Sequence, residues 1–487
     1  MRRHYDRQRR FDCTPIAELE LNFECRDEII PILAGLQYLY TCADLRGKLV
    51  RLVAEDINEQ ARRDVGRPGL DDWQIVVLAA VRLGCNYDYD KLQDLAENHR
   101  ALRILLGLGA WGQDPSFGAR RIRDTLCQLK PRTLEAMNHA IVQHGQTLDA
   151  TAAQSVRVDS FIVETDVHYP SESTLIRDGL RKIFGVCVEL AALLGEPGWR
   201  QWQHQWKQVK LLVRQIGKIG VSKSAKTKAK LKPTYQRLLD RAKLILDRAD
   251  ALRKRSLIVG LSPQTAALAE ELQHWMTLTR QVCDVANRRV ILEEKVPNHE
   301  KLFSLFEPHT QLYRRGKAQS PIQFGRQVLI VEDGIGFISH YYLFGREQTD
   351  PDVAVEQMRI AQRKHGGQIR SASFDRGFFS ETNAEKLVTI VKEPCLPPSH
   401  PSQYVAWRRS ATADLREARQ KHSGIESGIG AMQAGNGLKR CRDHGELGFE
   451  RYLGLAILGR NIHVLGKLLI AQQDKDAAAA ISKRQAA

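Results

Sequence analysis

Apolar residues recur at helical spacing through the first 147 positions, in Leu45–Asn58, Asp72–Leu83 and Tyr89–Asn98. Gly66-Arg-Pro-Gly is a turn, and Asp71 or Asp72 can cap the helix after it. After a break at Gly107–Asp114, Ser116 can cap a helix carrying Arg120, Arg121 and Arg123. Several short helices with arginines near a helix start fit either a helix-turn-helix reader of DNA or a helical oligomerisation module. The pattern then turns strand-like. Ser155–Asp159 and Phe161–Asp166 predict two strand segments or one long bent strand, and Ser173 or Thr174 opens a helix through Leu180, Ile183 and Val186. Val328–Glu332 and Gly336–Leu343 flank Asp333-Gly334, a strong hairpin signal. A helix from Pro351 or Asp352 to about Lys364 follows. Gln368–Phe374 then predicts a strand, Ser380 caps a short helix, and Leu387–Val391 predicts a further strand. From Trp407 to about Gln473 the spacing is helical, and the Ala-rich end looks frayed.

The order of elements is therefore strand, hairpin of two strands, helix, strand, helix, strand, helix. It matches an α/β fold of ribonuclease-H-like type, a mixed sheet with a long helical insertion, preceded by an all-α N-terminal domain. The expected division is a helical DNA-binding or oligomerisation domain (1–147), the first part of a catalytic domain (148–190), a basic helical insertion (191–320), the remainder of the catalytic domain (321–475) and a flexible tail (476–487).

Charge changes the picture most. The formal net charge is +16, and Arg200–Arg255 alone holds seventeen Lys or Arg against three Asp. So one-sided a run repels itself without a polyanionic partner, and a nucleic-acid backbone is the simplest one. Within it, Lys223–Lys232 has a basic residue at nearly every second position and reads as a solvated loop; Lys223, Lys226, Lys228 and Lys230 are its candidate phosphate contacts. Leu238, Leu239, Leu244 and Ile245 supply an apolar face. Trp199, Trp202 and Trp206 share one helical face, which predicts core packing, with stacking on an unpaired base the rarer use. At 43% hydrophobic and 27% charged residues the chain can bury a substantial core, which excludes a disordered protein. Nine cysteines without a C-x-x-C pair argue against a disulfide framework or thiolate zinc site. No signal peptide and no run of about 18 uninterrupted apolar residues is found, so a cytoplasmic, nucleoid-associated protein is expected.

The candidate chemistry lies in three carboxylates. Asp159 and Asp375 each close a short apolar, β-branched run and should sit at strand ends, and Glu426 lies in a helix-compatible stretch. Converging at the top of a mixed sheet, they would hold Mg²⁺ through oxygen ligands. Two such ions about 3.5–4 Å apart would clamp the attacking and leaving oxygens of a phosphodiester. Glu164, Asp166 and Asp333 are rival carboxylates, Asp333 most simply as the hairpin turn. His168 is expected to fix its loop by hydrogen bonding, and Glu450, Arg451 and Asn461 to stabilise the final helices.

The chain resembles the DDE transposases of bacterial insertion sequences. The resemblance rests on Val158-Asp-Ser-Phe-Ile-Val-Glu-Thr-Asp-Val-His-Tyr-Pro, on Ser373-Phe-Asp-Arg-Gly-Phe, and on the block from Gly424 through Asn461. It implies a metal-dependent enzyme that cuts and joins double-stranded DNA at the ends of a mobile element. It further implies two Mg²⁺ ions, with Mn²⁺ able to substitute, Asp159 bridging both and Asp375 and Glu426 each binding one. No covalent intermediate is implied. Where many relatives carry Tyr and Arg before the Glu and Lys after it, this chain has Arg419, His422 and Gln433, leaving Lys439 and Arg440 as candidate phosphate contacts. Synapsis of two ends implies at least a homodimer on DNA. Two other readings compete: a non-catalytic DNA-binding protein derived from a transposase, and a structure-selective nuclease of the same fold.

Overall fold

The computed structural model describes residues 13–58, 69–109, 118–149, 151–259, 262–314 and 322–486. Ser116 and the Gly66-Arg-Pro-Gly turn are not wholly within them. The chain forms two compact units, one made of residues 1–164 and 326–487 and the other of residues 165–325. The expected boundary at residue 191 falls instead in the last turn of a helix, Glu172–Leu193, within the second unit.

After a 3-10 turn (Ile16–Glu18), the described residues of the first unit continue with seven α-helices: α1 (Ile29–Thr41), α2 (Ala43–Asn58), α3 (Asp72–Gly84), α4 (Tyr89–Asn98), α5 (Arg100–Leu105), α6 (Ala119–Leu126) and α7 (Pro131–Gln146). Of the two cap candidates it is Asp71 that caps α3, in a reciprocal capping box with Gln74. α6 starts at Ala119 and is capped by Gly118. The strand β1 (Ser155–Thr165) is one continuous element of 11 residues.

The second unit contains α8 (Glu172–Leu193), α9 (Trp202–Gly220), α10 (Ala225–Lys228), α11 (Leu231–Val259) and α12 (Pro263–Ala286), followed by a short strand, β2 (Gln311–Arg314). β2 pairs antiparallel with the start of β3 (Ile322–Asp333), Gln311 opposite Gly325. Ser171, not Ser173 or Thr174, caps α8. Part of the expected Lys223–Lys232 loop is helical, as α10 and the start of α11. The core joins Phe184, Leu238, Ile245, Leu272 and Met276. Trp199, Trp202 and Trp206 surround Phe184 with ring centroids 6.2, 6.1 and 6.3 Å away, so all three pack. Leu244, expected on the apolar face, is 52% exposed, because it sits a helical step away from the line of Leu238 and Ile245.

Back in the first unit come β4 (Ile338–Leu343), α13 (Asp350–Lys364), β5 (Ser371–Phe374), α14 (Glu381–Leu387), β6 (Glu393–Cys395), α15 (Pro401–Ser410), α16 (Ala413–His422), α17 (Gly424–Gly435), β7 (Arg440–Cys441) and α18 (Glu446–Ala486). The strand expected over Leu387–Val391 is instead the end of α14 and a turn; Leu387 and Val391 are core residues all the same. The sheet is mixed and open. β3 lies beside β1, β1 beside β5 and β5 beside β6, while β4 pairs with β3 and β7 with β1. β1, β5 and β6 are parallel, and β3 and β4 form an antiparallel hairpin.

Two layers cover this sheet. Val156, Val158, Leu329, Ala372 and Phe374 face Val353 and Met358 of α13. Phe161, Val163, Val328 and Ile330 belong to a larger core that includes Ile425 and Met432 of α17, the first half of α18 (Phe449 to Leu465) and the N-terminal helices. α18 meets α1 and α3 at glycines: a Cβ on Gly459 would strike the backbone of Gly84, and one on Gly466 would strike Pro31. Asn461, fully buried on α18, accepts from the Ile338 amide at 2.8 Å and donates to the Ile338 carbonyl and to Asn138 Oδ1, both at 3.1 Å. Of all described helices α18 is long and apolar enough to cross a membrane, but two-thirds of its apolar window is buried in this core. The segment expected as a flexible tail continues α18 to Ala486.

Candidate active site

The register of β1 against β5 puts two of the three carboxylates just past the end of one parallel ladder. Val158 lies opposite Phe374 in a parallel ladder. That is the last pair of the ladder, and Asp159 and Asp375 are the next residue on each side of it. Asp375 follows the last residue of β5 and caps a single turn, Arg376–Phe378. Asp159 does not close its strand, as expected, but sits at its middle, because Phe161 and Val163 carry β1 onward into the larger core. What ends at Val158 is the pairing with β5.

A third carboxylate enters from α13. Asp350 Oδ1 accepts from Ser160 Oγ and from Gln327 Nε2, each at 2.7 Å. A Cβ placed on Gly377 would lie 3.3 Å from Asp350 Oδ2 and 3.8 Å from Asp375 Oδ2, so both carboxylates border one point. Thr349, which caps α13 in a capping box with Asp352, and Pro351 in the first turn place Asp350 at the positive end of the helix. Sequence reasoning missed Asp350; Thr349-Asp-Pro, a helix-start signature, was the available signal.

Behind Asp375, α16 ends in His422. Its Nδ1 lies 3.0 Å from Ser373 Oγ. Burial and the neighbouring Arg419 push the imidazole down to about 4 against the opposing pull of Asp375, so His422 is neutral at pH 7. Arg419 Nη1 donates to the Phe374 carbonyl at 3.4 Å.

The opposite face of β1 carries Arg157 and Asp159, two residues apart. Arg157 pairs with Glu332 of β3 at 3.1 Å. Glu332 is 2% exposed, and burial raises its pKa although Arg157 and Arg460 oppose the shift. α17 lies directly over this pair. A Cβ on Gly424 would strike the Arg157 guanidinium, and one on Gly428 would stand 2.8 Å from Glu332 Oε1. Glu426 is in the first turn of the same helix, two positions from each glycine and hence roughly 160° round from them. It is exposed, and its carboxylate has no hydrogen-bond or ion-pair partner among the described residues. The structure therefore sets Asp350 and Asp375 around one point, leaves Asp159 on the same face of β1 as Arg157, and puts Glu426 on the covering helix, turned to solvent. Among the described residues no three His, Cys, Asp or Glu side chains are grouped closely enough to hold a metal ion.

The other candidates have separate places. Asp333 is fully buried and accepts from the amides of Ile335, Gly336 and Phe337 and from Gln146 Nε2, the turn role expected of it. Glu164 pairs with Arg440 at 3.3 Å, and its amide donates to the Lys439 carbonyl, so β7 brings both basic residues beside the far end of β1. His168 Nε2 lies 2.6 Å from Asp178 Oδ2, as a loop-fixing residue should. On α6, Arg120 and Arg123 share Asp124 at 3.6 and 3.1 Å, and Arg121 is half-buried. Lys223, Lys226, Lys228 and Lys230 are all exposed. Compared with protein-family models, curated proteins and solved structures, the chain matches none.

Proposed function

We propose that this protein is a DNA transposase, which binds the ends of an insertion sequence and catalyses metal-dependent strand cleavage and strand transfer on a ribonuclease-H-like domain. The observation that carries the reading is that Asp159 and Asp375 each follow the last pair, Val158 with Phe374, of one parallel ladder. The sheet supports it too, since first strand, hairpin, helix, strand, helix and strand follow one another in the succession expected for that fold. The donor chemistry, carboxylate oxygens only, suits a hard divalent cation such as Mg²⁺. Asp159 and Asp375 are the residues that would hold it; Glu426, the third carboxylate of the reading, faces solvent on α17. Once bound, the cation would supply Lewis-acid stabilisation of charge on phosphodiester oxygens.

The chain's own residues do the rest. Ser160 and Gln327 hold Asp350, which adds negative charge beside Asp375. His422 supports Ser373 without adding a positive charge that would compete for the carboxylates. Hydrolysis frees a 3′-hydroxyl, which then attacks a target phosphodiester, and neither step calls for a Ser or Tyr nucleophile.

The test is a cleavage and joining assay with Mg²⁺ or Mn²⁺ on DNA carrying the element's own ends, using wild type, Asp159→Asn, Asp375→Asn and Glu426→Gln. The reading expects all three variants to bind DNA and to lose both activities. Cleavage without joining by wild type would make the protein a nuclease, and end binding without cleavage a non-catalytic DNA-binding protein. Undiminished activity of Asp375→Asn would remove the carboxylate pair from the chemistry.

A further inference from the structure

The second unit carries a groove of about 490 Å³ between α8 and α9, lined also by Phe306. Its walls are basic. Arg177 and Arg181 lie four residues apart on α8, and Trp206, Lys210 and Arg214 follow at the same interval on α9. Each set therefore forms a ridge along its helix, with a rise of about 6 Å between neighbours. The floor is aromatic: Lys210 Nζ stands 5.6 Å from the centre of the Trp206 ring, and the Arg181 guanidinium 5.7 Å from that of Phe306.

The groove has one acidic residue, Asp178, and it is already engaged. Arg177 donates to its Oδ1 from Nε and Nη2 at 3.2 and 3.0 Å, and His168 meets its Oδ2. Arg181, Lys210 and Arg214 are exposed and have no ion-pair partner among the described residues. In the neighbouring basic run, some of the charges are paired. Arg253 and Lys254 share Asp250, Arg255 pairs with Glu196, and Lys232 pairs with Glu293. Positive charge left uncompensated on two facing ridges costs self-repulsion unless an anion lies between them.

The geometry points to this α8–α9 groove as a binding site for the phosphate backbone of nucleic acid, with Arg181, Lys210 and Arg214 as its phosphate contacts. It is separate from the exposed lysines around α10. It rests on the transposase reading only for the choice of nucleic acid over other polyanions.

The experiment measures binding of the full chain to a DNA duplex by fluorescence anisotropy across a salt series, with no divalent ion and no cleavage. Wild type is compared with the triple variant Arg181→Gln, Lys210→Gln, Arg214→Gln. A second triple variant, Arg181→Lys, Lys210→Arg, Arg214→Lys, keeps the charge. Loss of three phosphate contacts should flatten the slope of log K against log salt by about 2.7. Between about 50 and 200 mM salt, affinity would then change roughly 40-fold less than in wild type. The charge-keeping variant should retain the wild-type slope, which separates loss of contacts from loss of fold. An unchanged slope in the Gln variant overturns the assignment. So does binding of wild type to phosphatidylserine vesicles but not to DNA. Absence of cleavage would sink the proposed activity and leave this result standing.

Discussion

Gly428→Ala and Gly430→Ala lie two positions apart on α17, yet they should move stability in opposite directions. Replacing glycine by alanine inside an open helix gains about 0.8–1 kcal/mol. At Gly430 nothing lies within 4 Å of the added Cβ, so that gain should appear in full. At Gly428 the new Cβ would stand 2.8 Å from Glu332 Oε1 and 3.4 Å from its Cδ, inside ordinary van der Waals contact. The carboxylate has little room to retreat, being 2% exposed and tied to Arg157 at 3.1 Å. Overpacking of this kind costs about 1–3 kcal/mol. Both variants share the propensity gain, so they should differ by that cost, with Gly428→Ala at best neutral and at worst about 2 kcal/mol less stable than wild type. Hydrogen exchange of the α17 amides reads this directly, because it reports the opening of that helix whatever the second unit does. Equal protection in the two variants would mean that Glu332 does not lie under α17 as described. Because Glu426 rides on the same helix, Gly428→Ala should also lower cleavage while Gly430→Ala leaves it unchanged.

Acid should loosen the first unit. Burial holds His340, His365, His422 and His463 down at about 4. Against an ordinary value near 6.5, each contributes up to roughly 3 kcal/mol that is present above pH 6.5 and lost as pH falls toward 4. Asp333, pushed up to about 6, works the other way, gaining a proton in the folded state first. Urea midpoints should therefore fall between pH 7 and pH 5, and a flat profile would contradict the burial of these imidazoles. Asn461→Ala should cost about 2–3 kcal/mol in urea unfolding, since it leaves the buried Ile338 amide and carbonyl unpaired; a loss below 0.5 kcal/mol would show the bonds to be dispensable. Replacing Lys223, Lys226, Lys228 and Lys230 by Gln should weaken binding to all DNA sequences and flatten its salt dependence, and an unchanged slope would free these lysines of phosphate contact.

Local signals were read well where the chemistry is local. Asp71 and Ser380 cap their helices through their own side chains, and the Asp333-Gly334 turn holds its hairpin. The apolar run Leu387–Val391 misled because a short apolar run fits a buried helix end as well as a strand. The real strand, Glu393–Cys395, was hidden by Pro394, which an edge strand such as β6 tolerates. Asp159 and Asp375 were each identifiable from the run before them, but that those two runs pair came only with the ladder. The pairing of Arg157 with Glu332, the seat of Gly428 above it and the nearness of Asp350 to Asp375 join residues far apart in sequence. Nothing in a single chain's local pattern announces such meetings.

The first unit is assembled from both ends of the chain, and this imposes an order on its birth. Ile32, Leu33 and Leu36 of α1 and Val76 and Leu83 of α3 share a core with α18. More than three hundred residues separate Gly84 from Glu446. At a synthesis rate of about 5–20 residues per second, those N-terminal helices wait roughly 20–70 s for the partner that covers them. The second unit is continuous in sequence and emerges whole during that interval. A nascent chain thus acquires its basic surface before β5 can pair with β1, so contact with a polyanion can precede the assembly of the sheet that carries the carboxylates.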